Sequence, residues 1–280
     1  MPKRCFMQAH PSVNHPTPLP LWPGPAAPGA REDDGPFPNL TFYLPSEEYR
    51  TGTTVLILPG GGYGLVSTAK EGHRPAQLLN AHGIAAAVLE YRHAPHRHPI
   101  PLLDAQRAMR VLHQQATQHG LNPTRIGVLG FSAGGHLAGS LATQPAVTQF
   151  PVNDAIDALP FAPAFAALLY PVVSFTAPFA HKGSRKNLLP ESDDTATSAQ
   201  LAAQLSIEQA VTANTPPMFL VHAQDDHAVS AENSIALWRA LTRANVPAEL
   251  HLYPTGGHGF GLAANHPWGH LLLRWLETIL

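Results

Sequence analysis

The polar and apolar positions of the chain alternate between two kinds of segment. Short runs of five to eight apolar residues, rich in branched side chains, predict buried strands at Thr53–Leu58, Ile84–Tyr91, Arg125–Gly130, Ala166–Tyr170, Met218–Ala223 and Glu249–Tyr253, with Leu40–Leu44 a further candidate. Between them lie longer segments whose apolar residues recur at three- and four-residue spacing. These predict helices over Glu71–His82, Leu102–His119, Ala133–Ala142, Ala231–Ala244 and His266–Leu280. Gly83 and Gly120 follow the first two and read as helix stops. Buried strands alternating with amphipathic helices imply an α/β fold: a mainly parallel central sheet flanked by helices, in a single domain over residues 39–280.

Two segments break the pattern. Residues 1–38 hold ten prolines, too many missing N–H groups for a helix or a central strand. They read as a proline-rich arm lying extended on the domain, with Leu21 and Trp22 as anchors; disorder is the alternative reading. Residues 176–215 show no period and carry a polar run, Glu191–Ser198. They read as an irregular excursion between two strands that helps wall a site.

Composition narrows the function classes. Apolar residues make up 44% and charged residues only 13%, with a formal net charge of −2 and scattered basic residues, so nucleic acid is not expected as a partner. No run approaches the length of a membrane span. The single cysteine, Cys5, forms neither an internal disulfide nor a zinc site. With no apolar stretch after Lys3 and Arg4 to resemble a signal peptide, a cytoplasmic location is expected; a secreted form with its signal removed remains the alternative. His93, His96 and His98 sit among prolines in an extended loop rather than at metal-ligand spacing, so no metal and no cofactor are expected. His222 reads as a satisfied core histidine, and Trp22, Trp238, Trp268 and Trp275 read as packing residues.

The chemistry-bearing signal is Gly130-Phe131-Ser132-Ala133-Gly134, set between an apolar strand and a small-residue helix. A sharp strand-to-helix turn projects a serine Oγ beyond the sheet, and the glycines leave room for the turn. The N–H of Ala133 then faces a developing oxyanion. Pro59-Gly60-Gly61-Gly62 ends an earlier strand, where Gly61 and Gly62 offer main-chain donors without side-chain obstruction. An acid and then a histidine should follow the serine. Asp225 and Asp226 follow the strand Met218–Ala223, and His258 follows Glu249–Tyr253 between glycines. His258 is the candidate base. Asp226 is the preferred acid because Val229, three residues on, can pin its loop into the core; Asp225 is the alternative. With nucleophile, acid and base all present, an enzyme is favoured over a binding protein that merely kept the fold.

Over LWPGPAAPGA (21–30), LPGGGY (58–63), GFSAGGHLA (130–138), HKGSRKNLL (181–189), VHAQDD (221–226) and ELHLYPTGGHGFGL (249–262) the chain resembles the α/β-hydrolase esterases of the acetyl xylan esterase and BD-FAE (feruloyl-esterase-like) branch. The resemblance implies Ser132 as nucleophile, Asp226 as acid, His258 as base, and Gly61, Gly62 and Ala133 as the oxyanion hole. Pro59 stands where lipase-type relatives carry histidine, and Ser230 where relatives often carry proline. It also implies a serine carboxylic-ester hydrolase without a cofactor, acting on a small-molecule or oligosaccharide ester such as an acetylated xylo-oligosaccharide. General carboxylesterase, feruloyl esterase and small-amidase activities are the alternatives on the same scaffold. Tyr63 and Arg185 are named as candidates for contacting the sugar.

Overall fold

The computed structural model describes residues 17–22, 27–31, 38–146, 154–190, 194–262 and 266–280. Most of the proline-rich stretch, including Cys5, and positions 191–193 of the polar run lie outside the described residues.

Eight strands form one sheet in the order β1-β2-β4-β3-β5-β6-β7-β8. They are β1 (Leu19–Pro20), β2 (Asn39–Tyr43), β3 (Thr54–Leu58), β4 (Ala85–Glu90), β5 (Ile126–Phe131), β6 (Ala166–Leu169), β7 (Met218–Ala223) and β8 (Ala248–Tyr253). The six from β3 to β8 run parallel; β2 pairs antiparallel with both β1 and β4. The fold is that of an α/β hydrolase.

The apolar runs are explained by burial on both faces of the sheet. Leu56, Leu58, Val128, Leu168 and Leu220 pack on one face against α2 (Ile100–Gln118), α3 (Ala133–Thr143) and α7 (Glu232–Arg243). Their neighbours Val55, Ile57, Leu129, Leu169 and Val221 pack on the other against α1 (Arg74–Ala81) and α8 (Trp268–Ile279). Trp268 and Trp275 share the buried face of α8, as their spacing predicts. Trp238, expected to pack, is 37% exposed on α7 instead.

The first helix differs from its expected form. The chain makes a π-helical turn over Thr68–His73 before α1 begins at Arg74. Pro75 has no N–H to give the carbonyl of Glu71, so an unbroken α-helix from residue 71 is not available. The wider turn presses Gly72 onto β4, where a Cβ would lie 2.7 Å from Val88. The segment expected to be irregular carries three short helices: α4 (Lys182–Leu188), α5 (Thr195–Gln204) and α6 (Ile207–Ala210). His181 caps α4 by accepting the Ser184 N–H on Nδ1, and Asp194 caps α5 by accepting the Ala196 N–H at 2.9 Å.

Within the arm, Leu21 and Trp22 are buried. The Trp22 indole donates to Asp104 at 3.3 Å, and Arg107 stacks over its ring at 4.8 Å. Asp104 is also the partner of Arg92 in a fully buried ion pair at 2.6 Å, and Arg92 donates onward to the Pro28 carbonyl at 2.8 Å.

Candidate active site

Four segments meet at the C-terminal ends of the parallel strands, the rim where open α/β sheets place their ligands. They follow β3, β5, β7 and β8.

Ser132 follows β5 in the middle of the sheet, with φ 52° and ψ −118°. A non-glycine residue at this φ stores roughly 1–3 kcal/mol of strain. The turn is held by Ser132 N–H donating to Leu169 and by the Ser132 carbonyl accepting from Val172 and His136. It also depends on its two glycines. A Cβ on Gly130 would lie 2.3 Å from the Gly134 carbonyl oxygen, and one on Gly134 would lie 2.1 Å from that of Leu58. Ser132 occupies the N-cap position of α3, yet its Oγ makes no capping bond. It lies 2.8 Å from His258 Nε2 instead.

His258 follows β8 and its Nδ1 lies 2.7 Å from Asp226 Oδ2. With a carboxylate as acceptor, Nδ1 carries the ring proton and Nε2 is left to accept from Ser132. The Tyr170 ring and the imidazole meet in a T-shaped pair with centroids 5.2 Å apart.

Asp226 follows β7 and its side chain is fully buried. Its Oδ1 accepts the N–H groups of Ala228 and Val229 at 2.9 and 2.8 Å. Burial alone would raise its pKa. Hydrogen bonds from His222, His258 and the Val229 N–H overcome that and hold the carboxyl well below the usual range. Asp225 faces the other way and accepts the Gly257 N–H at 2.7 Å, so it fixes the loop before His258 and does not touch the imidazole.

The glycine loop follows β3. Gly61 and Gly62 have φ of 135° and 64°, and among the described residues no acceptor meets the N–H of either. The Ala133 N–H opens α3 and has no intrahelical partner. The loop is pinned on several sides: Gly60 N–H donates to Glu71, Asn187 donates to the Gly62 carbonyl at 2.9 Å, and Ala94 N–H donates to the Tyr63 carbonyl at 2.8 Å. A Cβ on Gly60 would lie 2.9 Å from Ser132 Cβ, so loop and serine are in direct contact.

Tyr63 does not reach the cleft. Its φ of 58° turns the ring inward, where it is 1% exposed. His136 Nε2 donates to the Leu205 carbonyl at 2.7 Å, so its Nδ1 accepts the Tyr63 hydroxyl at 2.9 Å. Arg185 is exposed on α4. His222 is the satisfied core histidine expected, bonded to Ser234 at 2.7 Å and to the Val229 carbonyl at 2.9 Å. Its Nε2 also lies 3.3 Å from Asp226 Oδ2, a second imidazole partner for that carboxylate, whose one sign in the sequence is the i,i+4 spacing in VHAQDD. Burial lowers the pKa of His181, and the charge of His258 lowers it further. Among the described residues, no group of three His, Cys, Asp or Glu side chains could hold a metal, and no helix is long and apolar enough to cross a membrane.

The BD-FAE family model matches residues 40–241. An acetylxylan esterase of Xylanibacter ruminicola is 32% identical over 253 residues, which is 88% of this chain and 49% of that protein. Endo-1,4-beta-xylanase B of Butyrivibrio fibrisolvens is 31% identical over 239 residues, 82% of this chain and 35% of that protein. The chain thus spans half or less of the length of these two relatives. Among solved structures, the acetyl ester-xyloside bifunctional hydrolase from Caldicellulosiruptor lactoaceticus superposes with a TM-score of 0.86 at 38% identity, over 96% of this chain and 98% of that one. MGS-M1, an α/β hydrolase from a deep-sea metagenome library, superposes with a TM-score of 0.65 at 28% identity, over 86% and 92% of the two chains. The family model covers β3, β5 and β7 of the four strands that build the rim, and with them well over half of the chain: the chain belongs to the BD-FAE family of α/β hydrolases.

Proposed function

We propose that the chain is a serine carboxylic-ester hydrolase that removes acetyl groups from acetylated sugars through an acyl-enzyme. The observation that carries this reading is the hydrogen-bonded series Ser132 Oγ, His258, Asp226, at 2.8 and 2.7 Å, beside main-chain N–H groups that meet no acceptor among the described residues.

Ser132 Oγ attacks the ester carbonyl carbon while His258 Nε2 takes its proton. Asp226 holds the imidazole in the tautomer that can accept, and stabilises the imidazolium that forms. The carbonyl oxygen becomes an oxyanion that receives the N–H groups of Gly61, Gly62 and Ala133. Each such donor is worth about 2.7–4 kcal/mol in the transition state. Collapse expels the sugar alkoxide, which leaves as an alcohol with the proton from His258. Water then attacks the acetyl-Ser132 ester, with His258 again as base, and acetate departs.

The sugar-directed part of the reading is supported by the names of the similar proteins, an acetylxylan esterase and an acetyl ester-xyloside hydrolase. The test compares acetate release from acetylated xylo-oligosaccharides with hydrolysis of a simple aryl acetate, for the wild type and Ser132→Ala. A kcat/KM larger for the oligosaccharide, and lost with Ser132, is expected. Equal or better turnover of the aryl acetate would make it a general carboxylesterase, and activity surviving Ser132→Ala would remove the serine mechanism.

A further inference from the structure

Glu71 is a carboxylate beside the site that neither the sequence motifs nor the proposed mechanism uses. It sits in the π-helical turn, only 5% exposed. Its Oε2 accepts the Gly60 N–H at 2.9 Å, and its Oε1 accepts the Tyr170 hydroxyl at 2.9 Å. Tyr170 O in turn accepts the Gly261 N–H at 3.1 Å, three residues beyond His258. The Glu71 carboxylate also borders the base loop directly, since a Cβ on Gly259 would lie 3.8 Å from Oε1.

We propose that Glu71 is a positioning residue for the reaction: its buried carboxylate sets the glycine loop against Ser132 and, through Tyr170, sets the loop that carries His258. This rests on the esterase reading given above.

Three observations carry it. First, a buried carboxylate is costly unless donors compensate it, and an apolar side chain would fill the same space more cheaply. A carboxylate here is explained by the groups it holds. Second, Gly60 is clamped between Glu71 and the nucleophile. A Cβ there would lie 2.8 Å from Glu71 Oε2 and 2.9 Å from Ser132 Cβ, so movement of the carboxylate moves the loop relative to Ser132. Binding the Gly60 N–H also assigns the loop's donors, leaving the next two N–H groups for substrate. Third, Tyr170 is bound to Glu71 at its hydroxyl, and its ring packs against the His258 ring in a T-shaped pair. Burial, and then the Glu71 charge, raise the pKa of this phenol, so it remains a donor. One carboxylate thus fixes both the oxyanion side and the base side of the site.

The test uses Glu71→Gln, which keeps the shape but can accept only one of the two hydrogen bonds, with Tyr170→Phe as the second variant. Both are measured as full chains for aryl-acetate kcat and KM, for affinity toward an arylboronic acid that forms a tetrahedral adduct on serine, and for thermal midpoint. Ser132→Ala is run alongside. The proposal expects kcat to fall about 10- to 100-fold in Glu71→Gln and about 10-fold in Tyr170→Phe. KM should stay within about threefold, and boronate affinity should fall in step with kcat while the thermal midpoint holds. Wild-type kcat in either folded variant overturns it. A Glu71→Gln chain that does not fold overturns it too, since the carboxylate would then serve folding rather than positioning. An inactive wild type, or activity that survives Ser132→Ala, counts against the esterase reading and takes this inference with it.

Discussion

Asp226 Oδ2 stands 2.7 Å from His258 Nδ1, although the two residues come from loops on different strands, β7 and β8. The spacing is set by parallel pairing of those strands, in which Ala223 faces Tyr253 and both loops start at one level. Asp225 then ties the loops together through Gly257. Adjacent aspartates therefore do different work, one on the imidazole and one on the backbone that presents it.

That division predicts unequal mutants. Asp226→Asn should lower kcat by about 10⁴-fold, by leaving the imidazole in the wrong tautomer. Asp225→Ala loses one loop hydrogen bond and should lower kcat by less than about tenfold. Steady-state kinetics on an aryl acetate distinguish them, and a reversed order would move the acid to position 225.

Ser132→Ala should reduce kcat by on the order of 10⁶-fold, with the fold retained. Its Oγ makes no helix-capping bond, so the hydroxyl contributes little to α3. Near-wild-type circular dichroism with lost turnover is the expected pair of results.

Stability should fall as the solution is made acidic, well before the carboxylates titrate. Burial lowers the pKa of His136 and of His98 from 6.5 to about 4. Between those values the unfolded chain binds protons that the folded chain does not. Stability then rises with pH across the window and is lost as pH drops from about 6.5 towards 4, by at most about 1.4 kcal/mol per pH unit for each histidine. Below that, the depressed Asp226 carboxyl adds a further loss as it protonates. Urea midpoints at pH 7 and pH 5 measure the first effect; equal midpoints would refute it.

Asp104→Ala should destabilise the fold by about 3–5 kcal/mol. It leaves the buried Arg92 guanidinium without its counter-charge and frees the Trp22 indole. Adding Arg92→Met should recover part of the loss, read from the same denaturant midpoints.

The strands were legible because burial on both faces leaves an unmistakable mark: TVLIL and MFLVHA have no polar face to confuse them. The placement of Ser132, His258 and the glycine loop at one rim is legible because a sharp turn at a sheet rim demands glycine at fixed positions. Asp226 rather than Asp225 followed from the loop that Val229 closes, and the Val229 N–H does bind that carboxylate. Glu71 was not legible, because its partners Gly60 and Tyr170 are 11 and 99 residues away. Tyr63 was misread as a sugar contact because a positive φ, invisible in the sequence, turns its ring under the loop. The helices of 182–210 leave little mark in the sequence because they are short, and α4 and α5 are fixed by side-chain caps rather than by an apolar stripe.

The two residues of β1 have a use beyond their length. Leu19 and Pro20 lie along the start of β2, whose other neighbour is β4, and so cover its edge at Asn39 and Leu40. A truncated chain starting after Trp22 would open the Asn39–Leu40 end of β2 to a passing strand, a route to aggregation. Shortened expression forms should therefore begin ahead of Leu19, however dispensable a proline-rich leader looks.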